Sequence, residues 1–480
     1  TKLPYFQLFI IFLIMFAEPV TCTVIYPFIN QLIRETGVTG GDETRTGYFA
    51  GVIESVFFVT EALTVFQWGR ASDRYGRKPI LVLGPLGLAL AMLGFGFSKS
   101  FWPLVAFRCF QGAFNGNIGV SKTVMAELTD ETNKAEVFVV MPLVWSVALS
   151  VGPALGGLLA SPAVRWPDTF GRIELFRTYP YLLACGSAGL VAFVSYLLAQ
   201  FGLKETLPSI VARDERLRVD SERAPLLSTA SEPDYGAIPA SLDSPLLSRT
   251  PSESNYTEDS QSSSSSSDDQ PLPFRALLIP RVLIPLSNYL FLCFTDMSIA
   301  VLRPLMLSTS IEYGGIGFNP YQIGSIMALW GVFNTIAQLG FAAKAIRRFG
   351  NKKVFIASYA SSLIILLTFP LMSWLAARAG RADRWVWLVV VVHFGFTILT
   401  YTCYGCIHIF IMDSAPTKGS LGATNALSQM LGNVVRSLAP TVASSLFSIS
   451  IQKHLAGGFL VYWILIAITL VGVRYSFRLP

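Results

Sequence analysis

Charge and histidine are both scarce in this chain, and each shortage removes a class of protein. Of 480 residues only 14% are charged and 52% are hydrophobic, whereas a soluble domain carries about 25% charged residues. So little charge cannot cover a soluble surface of that size, and the chain reads as a polytopic membrane protein. Three histidines, with no cluster of ligands around them, give no reason to expect a metal site. Cysteine is sparse too. Cys22, Cys109, Cys293, Cys403 and Cys406 fall well inside apolar runs and Cys185 near the start of one, which argues against a disulfide framework. Cys403-x-x-Cys406 with His408 has ligand-like spacing, but it lies in one apolar stretch without a second ligand pair, so ordinary packing is expected. No nucleophile–base pair or metal site stands at the end of an apolar run, so neither an enzyme nor a cofactor is expected. The formal net charge of +6 is read as loop Lys and Arg facing anionic membrane lipid rather than nucleic acid.

What the chain has instead is long apolar runs, and they are organised around one short basic stretch. Gly69-Arg70-Ala71-Ser72-Asp73-Arg74-Tyr75-Gly76-Arg77-Lys78-Pro79 separates the runs Thr46–Trp68 and Pro79–Phe97, each close to the ~20 residues needed to span a bilayer. Lys and Arg collect in short loops on the cytoplasmic side, so this loop sets the orientation of its neighbours. The first span is expected from Leu3 to Phe28, with Glu18 near its middle. It is too long for a cleavable leader and ends in no cleavage site; because the first residue is Thr1, further N-terminal sequence is expected. The fourth span covers Phe101–Met125 and holds Arg108 and Gln111-Gly112; the fifth covers Ala135–Ala160 and the sixth Tyr179–Phe201. Six spans from an inside start bring the chain back inside, which defines a first bundle over residues 1–207.

Residues 208–273 then change character. They are rich in Ser, Asp, Glu, Arg and Pro, with the run Ser262–Ser267 followed by Asp268 and Asp269, and are expected to form a disordered cytoplasmic linker. Its Asn255-Tyr256-Thr257 lies on the wrong side for glycosylation. Glu222-Arg223-Ala224-Pro225-Leu226-Leu227 matches an acidic dileucine sorting signal, and the serines are candidate phosphorylation sites. Sorting adaptors and kinases are the partners this implies.

Apolar spans resume over residues 274–480, at Ala276–Thr309, Tyr321–Ala343, Val354–Leu375, Trp385–Met412, Gly419–Ser450 and Gly458–Val473. The loop after the eighth, Lys344 to Lys353, occupies the place of the founding loop, and Arg348-Phe349-Gly350 echoes Arg74-Tyr75-Gly76. Arg347 stands where Asp73 stands in the first copy. The expected fold is therefore an all-α twelve-helix protein of two six-helix bundles, related by a pseudo-two-fold along the membrane normal.

Ionisable residues inside spans cost roughly 2.5–3.5 kcal/mol each at the bilayer centre on insertion scales, so function is sought at Glu18, Glu54, Glu61, Arg108, Asp296, Arg303, His393 and Arg436. A carboxylate that faces a wet and a dry cavity by turns can carry a proton. Glu18 leads, being central and followed by Pro19. Asp296 and Arg303, two turns apart, form a possible polar network, and any one carboxylate could simply pair with Arg108 or Arg436. Trp145, Phe294, Trp330 and Tyr401 are candidate walls for a planar or apolar organic molecule.

The pattern Gly69-x-x-x-Asp73-Arg74-x-Gly76-Arg77-Lys78 resembles the signature loop between the second and third helices of the major facilitator superfamily. Leu104-x-x-x-Arg108-x-x-Gln111-Gly112 resembles its fourth-helix motif, and Gly152-Pro153-x-x-Gly156-Gly157 the fifth-helix motif of antiporters. More narrowly, Ala17-Glu18-Pro19, Asn115-Gly116-Asn117-Ile118-Gly119, Asp413-Ser414-Ala415-Pro416, Gly422-Ala423-Thr424-Asn425 and Arg436-Ser437-Leu438-Ala439-Pro440 look like fungal members related to zinc-induced-facilitator-like transporters. The resemblance covers essentially the whole membrane part. It implies a drug:proton antiporter that exports a small organic molecule by alternating access, driven by a proton gradient. Glu18, Arg108, Glu61 and Asp296 are then the proton-coupling candidates, with Arg303, Asn425 and Arg436 as polar candidates of the second half. Asp73 is expected to latch onto the start of the eleventh helix near Gly419–Leu421, with Arg74, Arg77 and Lys78 pairing with Glu127 or Asp130. The competing readings are a proton-coupled nutrient importer or facilitator, and a transceptor with vestigial transport. A monomer in the plasma or vacuolar membrane is expected, with both termini cytoplasmic.

Overall fold

The computed structural model describes residues 3–130, 133–207, 210–211, 279–416 and 420–480. The expected linker apart from residues 210–211, and residues 417–419 of the expected latch, lie outside the described residues. Apolar sequence in a bilayer must satisfy its backbone internally, which leaves helices as the solution for runs of this length. The first bundle comprises α1 (Tyr5–Thr23), α2 (Ile29–Glu35), α3 (Thr46–Tyr75), α4 (Arg77–Gly96), α5 (Phe101–Asn115), α6 (Ile118–Glu127), α7 (Lys134–Leu159) and α8 (Leu182–Gly202). The second comprises α9 (Pro280–Ser308), α10 (Pro320–Ala337), α11 (Ala343–Phe349), α12 (Asn351–Ala379), α13 (Arg384–Asp413), α14 (Leu421–Gln452) and α15 (Leu460–Ser476). Among the described residues ten helical segments are long and apolar enough to cross a membrane. The broken pair α5–α6 and the 17-residue α15 complete twelve.

Three boundaries differ from the sequence reading, each for a local reason. The first span stops at Thr23 and resumes as the separate α2. The basic stretch is helical rather than looped: α3 runs through Tyr75, α4 starts at Arg77, and Gly76 alone joins them at φ +107°. That conformation suits glycine. A Cβ at Gly76 would also lie 2.5 Å from the Glu205 carboxylate. The fourth span breaks at Gly116-Asn117, where Gly116 fits so closely against α3 that a Cβ would lie 2.6 Å from the Trp68 ring and 3.0 Å from the Val65 backbone. In the second half α10 passes through a π-helical turn, Gln338–Ala342, before α11.

The two bundles meet chiefly where α3 packs on α14 and α7 on α10, and these seams are tight only away from the face that carries Gly76 and Gly350. On that far side small residues bring backbones together. A Cβ on Gly157 would fall 2.6 Å from the Gly324 Cα, and one on Gly51 would fall 2.9 Å from the Thr441 Cα. Gly152 and Gly156 serve the same bundle instead, seating α7 against Thr23 and the Val24 carbonyl. Hydroxyls stitch the seams: Thr441 Oγ1 pairs with Ser55 Oγ at 2.7 Å, Ser150 Oγ donates to the Ala328 carbonyl at 2.7 Å, and Asn334 Nδ2 donates to Ser146 Oγ at 3.0 Å. At the rim, Glu43 accepts from both the backbone N–H and the hydroxyl of Ser310, while Arg34 pairs with Glu43 and donates to the Ser308 carbonyl. Toward the loop face Gly69 and Gly340 front open space, and Phe66, Met430 and Val434 are exposed. The close cross-bundle approaches of the glycines thus lie away from the basic face.

Gly157→Leu should force α7 and α10 apart at the far side, because the clash is with backbone that cannot rotate away. Spin labels on the far ends of these helices are expected to report a longer distance than in the wild type while the protein remains membrane-inserted; an unchanged distance would show that this contact does not set the seam.

Candidate functional site

At the basic face the junction of α3 and α4 is held by carboxylates from elsewhere in the bundle. Glu205, after α8, accepts from the backbone N–H groups of Arg77 and Lys78 at 2.8 and 3.0 Å, which neutralises orphan donors at the start of α4. Buried Arg77 bridges Asp73 at 2.6 Å and Glu127 at 3.1 Å and donates to Ser72 Oγ at 2.7 Å. Among the described residues Arg77 is the one basic residue of this stretch in an ion pair. Arg74 lies over the Tyr75 ring, and Lys78 is partly exposed. The second-half counterpart is built differently: Gly350 fronts open space, and Lys352 Nζ donates to the Leu479 carbonyl.

Deep in the first bundle Arg108 is fully buried and sits on the Phe57 ring. It pairs with Glu54 at 3.1 Å and donates to Gln111 Oε1 at 2.8 Å. Arg108 and Glu54 therefore compensate each other. Glu18 and Glu61, the other two acids inside the first-half spans, have no salt-bridge partner among the described residues. Glu18, on α1, accepts from Asn115 Nδ2 at 2.7 Å, and the same amide interacts with Glu61 on α3. Lys122 on α6 and Arg436 on α14 bring positive charge within electrostatic reach of Glu61, and Lys122 also of Glu18. Two carboxylates from two helices thus share one amide, with two cations from two further helices, one of them in the second bundle, within electrostatic reach. The break between α5 and α6 is what places Asn115 and Lys122 there. From the sequence Asn115 was read only within a family-like motif and Lys122 not at all, although a lysine inside the fourth apolar run was a readable signal.

The second-half candidates separate into distinct sets. Asp296 accepts from Tyr404 Oη at 2.8 Å, and Arg436 donates to Tyr289 Oη at 3.2 Å. Asp296 and Arg303 are not an ion pair; Arg303 instead donates Nε to His393 Nε2 at 3.0 Å and Nη2 to Thr397 Oγ1 at 3.2 Å. Asn425 is exposed on α14 and is not drawn into the cluster by a hydrogen bond among the described residues. Trp330 is buried, edge-on to Tyr401 at 5.4 Å, whereas Trp145 is exposed. Among the described residues no three His, Cys, Asp or Glu side chains are grouped to hold a metal ion.

The chain matches the family model described as Major Facilitator Superfamily over residues 9–440. It is 32% identical to the major facilitator-type transporter psiT2 of Psilocybe cyanescens, covering 99% of this chain and 90% of the relative. It is 27% identical to the major facilitator superfamily multidrug transporter mfsB of Aspergillus fumigatus, over 99% of this chain and 83% of that protein. Protein ZINC INDUCED FACILITATOR 1 of Arabidopsis thaliana is 25% identical over 99% of this chain and 91% of its own length. Among solved structures, a D-xylose-proton symporter superposes with a TM-score of 0.69 at 12% identity, over 100% of this chain and 98% of its own.

Glu54→Gln leaves the Arg108 guanidinium buried without its counter-charge and should cost about 3–5 kcal/mol, read as a lower melting temperature of the purified protein. Glu54→Gln with Arg108→Gln should recover part of the loss. A single variant as stable as the wild type would show that the pair is not load-sharing in the folded bundle.

Proposed function

Because this chain belongs to the Major Facilitator Superfamily and so is a multi-pass membrane transporter rather than an enzyme, we propose that it is a proton-coupled antiporter exporting a small organic molecule by alternating access. The observation that carries this reading is the pair of carboxylates, Glu18 and Glu61, sharing Asn115 while the close glycine contacts between the bundles lie away from the basic face. By the positive-inside rule that face is cytoplasmic, so the site is poised to load substrate from the cytoplasm. Rocking the bundles would open the glycine-lined far seam and close the basic face. Glu18 then meets the other compartment, takes up a proton there, and releases it when the site faces the cytoplasm again. Lys122 and Arg436 stabilise the carboxylates once the proton has left, which links proton occupancy to the charge that a substrate meets. The driving force is the proton gradient, and no cofactor takes part.

The far-side clasp of Glu43 with Ser310 supplies the outer gate, and the Asp73–Arg77–Glu127 set belongs to the inner one. Asp73 would exchange its Arg77 contact for the N-terminus of α14 when the basic face closes. Export, rather than import, is supported by the name of a further relative, the efflux pump azaK of Aspergillus niger, 25% identical over 96% of this chain and 85% of its own length. A monomer in the plasma or vacuolar membrane, with termini and linker in the cytoplasm and adaptors or kinases acting on the linker, completes the proposal.

Proteoliposomes loaded with a pH dye and challenged with pooled organic compounds test the reading. Wild type should show substrate-dependent proton counterflow, and Glu18→Gln should abolish it without removing the protein from the membrane. Proton flow in the same direction as substrate would make the protein an importer; no proton movement with any pool would overturn coupled transport.

A further inference from the structure

Arg303 differs from Arg108 and Arg77, which have carboxylates at ion-pair distance. Like Arg436 with Glu61, it has an acid, Asp296, only within longer electrostatic reach. Arg303, 5% exposed on α9, has no carboxylate at ion-pair distance among the described residues. Its partners are neutral. Because His393 Nε2 accepts from Arg303 Nε, the ring proton sits on Nδ1 and is donated to Thr368 Oγ1 at 2.8 Å, and Thr368 in turn donates to the Ile365 carbonyl. Thr397 also donates its hydroxyl proton to its own helix, at the His393 carbonyl. Each link fixes the next, so the guanidinium is held in place by neutral partners, with Asp296 acting on its charge only at longer range. Arg303 Nη1 has no hydrogen bond among the described residues.

An unpaired donor lies beside it. Trp330 is 5% exposed, and its indole N–H has no hydrogen-bond partner among the described residues. The Arg303 guanidinium is 5.8 Å from the Trp330 ring and 5.1 Å from the Phe394 ring. Tyr401, edge-on to Trp330, extends the aromatic wall, and Tyr26 of the first bundle packs against the same cluster. The nearest acid on α9, Asp296, is two turns away and engaged by Tyr404. A buried charge without a counter-ion at pairing distance is costly, and a buried N–H without an acceptor adds to that cost. An anion would relieve both, because a carboxylate or phosphate presents several acceptor oxygens to a guanidinium fork and a neighbouring N–H.

We propose that Arg303 and Trp330 dock the anionic group of the transported molecule, so that the substrate class is an aromatic or planar organic acid bearing a carboxylate or phosphate. The aromatic walls take its ring system, and His393 with Thr397 keeps the guanidinium aimed. This rests on the reading that the chain carries a small organic solute, but it concerns binding and not proton coupling.

The test uses the purified full chain and ligand-induced thermal stabilisation with indole-3-acetate and phenyl phosphate, each beside a neutral analogue, indole-3-acetamide and phenol. The acids should stabilise the protein and the neutral analogues should not. Arg303→Gln should weaken acid binding by roughly ten- to a hundredfold, and Arg303→Lys should recover part of it. Trp330→Phe, which keeps an aromatic ring but loses the N–H together with the fused five-membered ring, should weaken binding by a smaller factor and carries the test if Arg303→Gln does not fold. A purely structural Arg303 would lower the melting temperature without changing the preference of acid over amide. Equal binding of acids and neutral analogues, wild-type acid binding by Arg303→Gln or Trp330→Phe, or no stabilisation by either acid overturns the proposal. Acid binding without proton counterflow would leave this site standing and sink antiport; counterflow driven only by neutral or cationic compounds would do the reverse.

Discussion

A charge inside hydrocarbon must be matched, and much of the interior of this protein follows from how each charge is matched. In the first bundle the solution is a direct pair: Arg108 with Glu54 on the Phe57 ring. Between the bundles it is a shared arrangement in which Asn115 mediates between Glu18 and Glu61 while Lys122 and Arg436 stand off. In the second bundle Arg303 hydrogen-bonds only neutral groups, and Asp296 acts on it at longer range. These solutions range from directly paired to loosely compensated. The same range separates what holds the bundle together from what is left to respond to a proton or a solute.

The two halves share a plan and divide its tasks. Both carry a positive-φ glycine between a basic helix end and the next span, Gly76 at +107° and Gly350 at +86°. In the first half Glu205 reaches that helix start and ties it to the bundle's last segment. In the second half the corresponding lysine reaches the C-terminal backbone instead. The far seam has its own economy of means: glycines allow contact, and hydroxyls supply bonds weak enough to be exchanged. Ser444 donates to the Pro440 carbonyl of its own helix, so separating α3 from α14 does not strand that group.

Length and polarity made the twelve spans legible, because the bilayer permits so few alternatives. The boundaries were less legible where a partner decided them. Asp73, Arg74 and Tyr75 look like loop residues by charge, yet Arg77 and Glu205 let the helix run on to Gly76. The notch at Gly116-Asn117 depends on Trp68 and Val65 of another helix, which no local pattern records. For the same reason Glu18, Glu61, Arg108 and Arg436 could be named from their place in apolar runs, whereas their pairing could not. Glu54, one charge among eight, proved to be Arg108's partner, and Asp296 met Tyr404 rather than Arg303. Asn115 was read only within a motif because an amide is no anomaly in a span, and Lys122 was passed over because it lies near an apparent helix end.

The single residue between α3 and α4 has a mechanical meaning. A linker of several residues would absorb rotation of one helix by changing its own torsions. Gly76 offers two torsions, and a glutamate locks the N–H groups that follow it. A twist of α3 at the seam with α14 must therefore be transmitted to α4 and, through Glu205, to the last helix of the bundle. The first half behaves as a stiff lever whose fulcrum lies at the membrane surface, and a disturbance at the central amide is felt there with little lost on the way.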